Sequence, residues 1–297
     1  MADNDPIVRE TIDHVKAVLG EDLEGLTVER AALGLFFSGV KLSDGHGGLC
    51  FTPIKEIPEA VCCPSSARAM PLSGRLKGRS AQSYLDDLWS GNVLKRALGI
   101  ATLNALSAAC WEKGGGLGRG LDYQLELGKD AFDEVQIDAQ KKTVVVGALI
   151  PIVKRLLAAE ADFHILEMDP ATLRPRELPY YAHATRAGEF VPQADLLVIT
   201  GTTLLNDTLP GLLEMAKPGA EIVVTGPTAG MLPDAFFARG TTVLGGILVT
   251  KADELLDIIS EGGSGYHFFG RSAERLVIRG KRGRPLVGRG AMKEAGR

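Results

Sequence analysis

The feature that most constrains this chain is the regular alternation of short apolar runs with helical segments over its second half. Thr143 to Gly147 (TVVVG), Phe163 to Glu167 (FHILE), Leu196 to Thr200 (LLVIT), Ile222 to Thr225 (IVVT) and Thr242 to Val249 (TTVLGGILV) have the length and β-branched content of strands. Amphipathic patterns at Pro151 to Ala159, Leu209 to Ala216, Met231 to Phe237 and Ala252 to Ile259 fall between or after them. Strands that are apolar at every position must be covered on both faces, and βαβ order supplies that cover with helices. The pattern predicts an α/β fold with a doubly wound parallel sheet. Ligands of such sheets bind outside the carboxyl ends of the strands.

The stretch ADLLVITGTTLLNDTLPG, Ala194 to Gly211, places the richest chemistry at such an end. Leu196 to Ile199 is the strand and Thr200 and Gly201 close it. Thr202, Thr203, Asn206, Asp207 and Thr208 then offer hydroxyls, an amide and a carboxylate just before an apolar helix. Thr208 is the expected cap of that helix and Pro210 sits in its first turn, where a missing N–H costs nothing. A helix start beside a glycine suits an anion or carboxylate; a well-capped connection with no ligand is the competing reading. Thr225, Gly226, Pro227, Thr228 and Gly230 repeat the design after the next strand, and two such loops are expected to converge on one pocket.

The first strand ends GALIPIVKRLL, with Pro151 opening the helix, so the pyrophosphate fingerprint of classical dinucleotide binding is missing. Glu167 ends the second strand, where dinucleotide-binding folds place the acid that holds a ribose. That position suits S-adenosylmethionine or a nucleoside, while Glu167 and Asp169 read equally well as caps of the following turn. No Ser/His/Asp arrangement, Walker loop or H-E-x-x-H appears, so no covalent mechanism follows.

The first half reads differently. Ile7 to Leu19 is an amphipathic helix stopped by Gly20. Leu26 to Leu42 looks extended, and with the turn SDGHGG and the return LCFTP it forms an expected hairpin. His46 lies in that turn. Ala60 to Gln82 is irregular, with Cys62 and Cys63 adjacent and Arg68, Arg75, Lys77 and Arg79 unopposed by acids. Adjacent cysteines lack the two-residue spacer of common zinc sites, so a metal there needs His46 or Cys50 as well; inert buried thiols are the other reading. Ser80 to Trp89 and Val93 to Trp111 are expected helices, the second buried on most faces. Asn104 inside it must find hydrogen-bond partners or face a cleft. The glycine cluster Gly114 to Gly120 marks a boundary.

At 297 residues, 45% hydrophobic and 24% charged, the chain has an ordinary globular composition large enough for two cores. The start MADNDPIVRE lacks a signal-peptide pattern and no apolar stretch reads as membrane-spanning, so a cytoplasmic location is expected. Four cysteines do not make a disulfide framework at this length. From Arg271 onward nine Lys or Arg stand against two Glu, a basic end that reads as solvated or partner-binding more readily than as nucleic-acid-binding.

Taken together, DLLVITGTTLLNDTL, VVTGPTAGMLPDAFFARG, the later LGG, KTVVVGALIP and LKRALGIATLNAL resemble the family described as "putative heavy-metal chelation". The resemblance runs from about Ala32 to Phe269. It implies an α+β capping domain like the amino-terminal domain of enolases over residues 1–120, a Rossmann-like domain over 121–279 and a basic extension over 280–297. It also implies a site in the cleft between the two domains. Carried over by motif, the site residues are Gly147, Pro151, Glu167, Thr200, Gly201, Thr202, Asn206, Thr208, Gly226 and Pro227, with Asn104 from the capping side. The function expected is binding of a metal ion, or of a metal-bearing or anionic small molecule. Glu167, Cys62, Cys63 and His46 are the candidate metal ligands, and a metal ion of unspecified identity is the candidate cofactor. An enzyme using S-adenosylmethionine or a nucleotide in the same cleft is the alternative. The expected partner is a small-molecule or metal ligand; no membrane is expected, nucleic acid is disfavoured, and a homo-oligomer stays open.

Overall fold

The computed structural model describes residues 5–57, 66–114 and 123–280. Cys62, Cys63, the glycine cluster beyond Gly114 and the basic end beyond Gly280 lie outside the described residues. The fold is mixed α/β. A three-stranded antiparallel sheet, β1 (Val28–Leu33), β2 (Phe37–Leu42) and β3 (Gly47–Phe51), stands beside an eight-stranded, mostly parallel sheet. The strands of the larger sheet are β4 (Tyr123–Leu127), β5 (Thr143–Val146), β6 (Phe163–Glu167), β7 (Tyr181–His183), β8 (Leu196–Thr200), β9 (Glu221–Thr225), β10 (Val243–Val249) and β11 (Ala273–Gly280).

Their order is β4-β11-β10-β9-β8-β5-β6-β7. The six strands from β10 to β7 are parallel, and β11 and β4 add an antiparallel edge. From β5 the chain steps outward to β6 and β7, then returns to the other side of β5 for β8, β9 and β10. The strand order therefore reverses between β5 and β8, and a crevice opens there. The continuous apolar runs have a direct cause. Val144 and Val146 of β5 enter one core cluster while Val145 enters the cluster on the opposite face, and Leu197 and Ile199 alternate with Leu196 and Val198 in the same way.

The segment Leu26 to Leu42, expected as one strand, turns at Gly34 to Phe36 and gives two, β1 and β2. The short strands β4 and β7 and the antiparallel β11 carry no sequence period strong enough to be seen in advance; they are set by pairing with neighbours. Near Lys129 to Gln136 the expected helix is a single tight turn, Ala131–Glu134.

The helix Val93–Lys113 joins the two sheets. Asn92 caps it, its Oδ1 accepting from Leu94 N at 3.1 Å and Lys95 N at 3.0 Å. Gly48 of β3 lets it lie close, since a Cβ there would meet Ala101 O at 1.9 Å. By length and composition alone this helix could cross a membrane, contrary to the expectation from sequence, but 89% of its most apolar window is buried inside the protein.

A candidate ligand cavity at the strand-order reversal

A cavity of about 350 Å³ opens at the carboxyl ends of β5, β6 and β8. Val146, Gly147, Glu167, Thr200, Thr202, Thr203, Asn206, Asp207 and Thr208 line it, with Leu166, Ala184, Ala187, Leu212 and Met215 forming apolar walls. Of the residues expected at a site, Gly147, Glu167, Thr200, Thr202, Asn206 and Thr208 come together here.

Gly147 turns the chain out of β5 with φ +92°, and a Cβ on it would sit 2.7 Å from Thr200 Cγ2, so only glycine fits. Thr200 caps the turn after β8: its Oγ1 accepts from Thr202 N at 3.4 Å and lies 3.2 Å from Thr202 Oγ1. Thr208 does not cap the next helix with its side chain. Its hydroxyl instead donates to Asn206 Oδ1 at 2.7 Å, closing the polar turn on itself. Glu167 Oε1 accepts from Met168 N at 2.7 Å and Asp169 N at 3.3 Å, which fixes the carboxylate at the end of β6.

The lining holds two carboxylates and no Lys, Arg or His. Asp207 is neutralised by Arg96, buried in the Val93–Lys113 helix. Glu167 has no ion pair among the described residues. Lys55, outside the lining, is committed to Asp169 at 2.6 Å, and that pair holds its pKa above the ordinary lysine value, with the charge of Glu167 adding a smaller push.

The remaining expected residues are elsewhere. Pro151 is exposed in the first turn of the helix Ile150–Ala158 and does not line the cavity. Gly201 is buried against Ala229. Gly226 and Pro227 begin a loop that packs on the small sheet: Thr228 Oγ1 accepts from Phe51 N at 3.1 Å. Asn104, expected at a cleft, is 5% exposed and donates to Leu49 O at 2.8 Å and Thr228 O at 3.1 Å. Its NH2 group joins helix, β3 and loop, while its buried Oδ1 has no partner among the described residues. The two polar loops therefore do not converge on one pocket, because the Gly226 loop is spent on packing.

His46 is held between two acids, with Nδ1 3.1 Å from Asp44 Oδ2 and Nε2 2.8 Å from Glu112 Oε2, beside a separate depression. Cys50 is fully buried, and burial pushes its thiol up to about 12. Among the described residues no group of three or more His, Cys, Asp or Glu could hold a metal ion. The oxygen-rich lining with one free carboxylate also does not fit direct capture of a thiophilic metal. Sequence reasoning missed Arg96; a single arginine in the apolar stretch LKRALGIATLNAL was the signal.

Two family models, both described as "Putative heavy-metal chelation", match residues 130–278 and 16–107. An uncharacterized protein of Methanocaldococcus jannaschii is 30% identical over 198 residues, covering 65% of this chain and 70% of that one. A protein of unknown function from Pyrococcus horikoshii superposes with a TM-score of 0.71 at 20% identity, over 92% of this chain and 99% of that one. One from Desulfitobacterium hafniense gives 0.65 at 20% identity, over 91% and 98%. These likenesses establish the fold.

Proposed function

The chain belongs to the family described as "Putative heavy-metal chelation", and from that premise we propose that it binds a small metal-bearing or cationic molecule in the cavity at the β5/β8 reversal. The carrying observation is the charge of that cavity: Glu167 is fixed by two backbone N–H groups and unpaired, with no basic residue in the lining. Such a site repels a free anion and favours a cation or a neutral complex. Threonine hydroxyls and the Asn206 amide suit the oxygen and nitrogen atoms of an organic ligand. The metal is then carried by the ligand's own donors, since the described residues do not offer a coordination set. A cytoplasmic location belongs to the same proposal.

Calorimetry with nickel and zinc, each alone and as its histidine complex, tests this on the full chain. Binding of a complex that is lost in Thr202→Trp, which fills the cavity, supports the reading. Binding unchanged by Thr202→Trp, or metal uptake abolished by Cys62→Ser with Cys63→Ser and untouched by Glu167→Gln, overturns it.

A further inference from the structure

We infer that the portion of the ligand seated in this cavity is a nucleoside: a ribose whose vicinal hydroxyls face Glu167, carrying a flat base and no phosphate. The inference rests on the proposed use of the same cavity and names what it recognises.

Glu167 ends β6, the strand beside β5 on the outward side of the reversal. Carboxylates at that position in dinucleotide folds accept from ribose hydroxyls. Here Oε1 is taken by Met168 N and Asp169 N, while Oε2 receives no hydrogen bond from the described residues. One oxygen anchors the group and the other is left without a partner among the described residues, available to accept from a diol.

The cavity also has apolar walls. Ala184 and Ala187 follow β7, and Leu212 and Met215 stand on the helix after β8. These side chains give the cavity apolar walls for a base, and Thr202 and Asn206, also in the lining, supply donors and acceptors for ring heteroatoms. The volume of about 350 Å³ lies at the lower end for small-molecule pockets.

The cavity disfavours phosphate. In the loop after β5, where nucleotide folds cradle it, the N–H of Gly147 donates to Leu166 O at 2.9 Å, that of Leu149 to Gly147 O at 2.8 Å and that of Ile150 to Ala148 O at 2.9 Å. Pro151 has no N–H. Three of the loop's donors are therefore committed, and no lining cation offsets the charge of Glu167.

Calorimetry of the full chain with adenosine, guanosine, cytidine and uridine, and with the deoxynucleoside and the monophosphate of the tightest binder, decides the matter. One ribonucleoside binds, and its deoxy and monophosphate forms each bind roughly tenfold weaker or worse, the scale of one hydrogen bond to a charged group. Glu167→Gln weakens the ribonucleoside by a similar factor at unchanged melting temperature. A monophosphate or deoxynucleoside that binds as tightly, indifference to Glu167→Gln, or no binding of any nucleoside at millimolar concentration overturns the inference. In the last case, metal-complex binding that Thr202→Trp abolishes leaves the broader function standing; loss of both fails the two together.

Discussion

Arg96 clasps Asp207 with both ends of its guanidinium. Nη1 donates to Oδ2 at 3.0 Å and Nη2 to Oδ1, while Nη2 also donates to Leu204 O at 2.9 Å. The pair ties the cavity's polar turn to the helix that carries the small sheet. It also holds Asp207 at φ +57°, a left-handed conformation that aspartate tolerates better than most side chains. Asp5 lies near enough for its charge to be felt by the pair; burial, more than any neighbour, holds its own pKa above the usual carboxylate value.

The two halves of that pair are unequal. The Arg96 side chain is 7% exposed and Asp207 31%, so removing the acid strands a buried cation, whereas removing the arginine leaves a carboxylate that water reaches. Asp207→Ala is expected to cost about 3–5 kcal/mol and Arg96→Met less, with the double variant cheaper than the sum of the two. Urea unfolding of the three variants measures all of this.

Asn104→Ala leaves the Leu49 and Thr228 carbonyls without their donor in a buried joint. A loss of about 2–3 kcal/mol is expected from two such groups, with no change in affinity at the cavity. Denaturation and calorimetry on the same preparation separate the two effects.

Gly147→Ala forces a Cβ against Thr200 at an unfavourable φ. A cost of about 1–3 kcal/mol is expected, together with weakened ligand binding, because the strain is relieved by moving the Thr200 turn. Thr200→Ser, which removes the obstructing methyl, should restore part of the stability; thermal unfolding reads both.

His46 sits between Asp44 and Glu112, and its close pairing with Asp44, opposed by partial burial, raises its pKa above the ordinary 6.5. A raised folded value means that the stabilisation is fully present below pH 6.5 and is lost as pH rises through the folded pKa. Imidazole resonances followed by NMR should titrate above the ordinary histidine value, and His46→Gln should flatten the fall in melting temperature over that interval.

Cys50 and Cys110 are both buried, and burial pushes each thiol up to about 12. A thiol reagent applied to the native protein near neutral pH is expected to leave both unmodified until unfolding, which peptide mapping by mass spectrometry would check.

Much of the fold was legible because it follows from local rules. Short apolar runs bounded by polar residues or Gly became β5, β6, β8, β9 and β10, and the helices between or after them appeared within a few residues of their expected ends. The positions of Glu167 and the Thr200 to Thr208 turn at strand ends followed from the same pattern. What misled was equivalence: the Gly226 loop has the same composition as the Thr200 turn, yet its Thr228 is used to fasten β3.

The sequence by itself determined the five central strands, the helices between or after them and the polar groups at the strand ends, because periodicity and chain-terminating residues act over a few positions. The lateral strand order, and with it the reversal between β5 and β8, came from pairing in the folded sheet. Only the tertiary structure decided which polar side chains remain free. Asn104, His46 and Arg96 are each claimed by groups many positions away, and whether a buried donor or charge is satisfied depends on what the folded chain brings within about 3 Å of it.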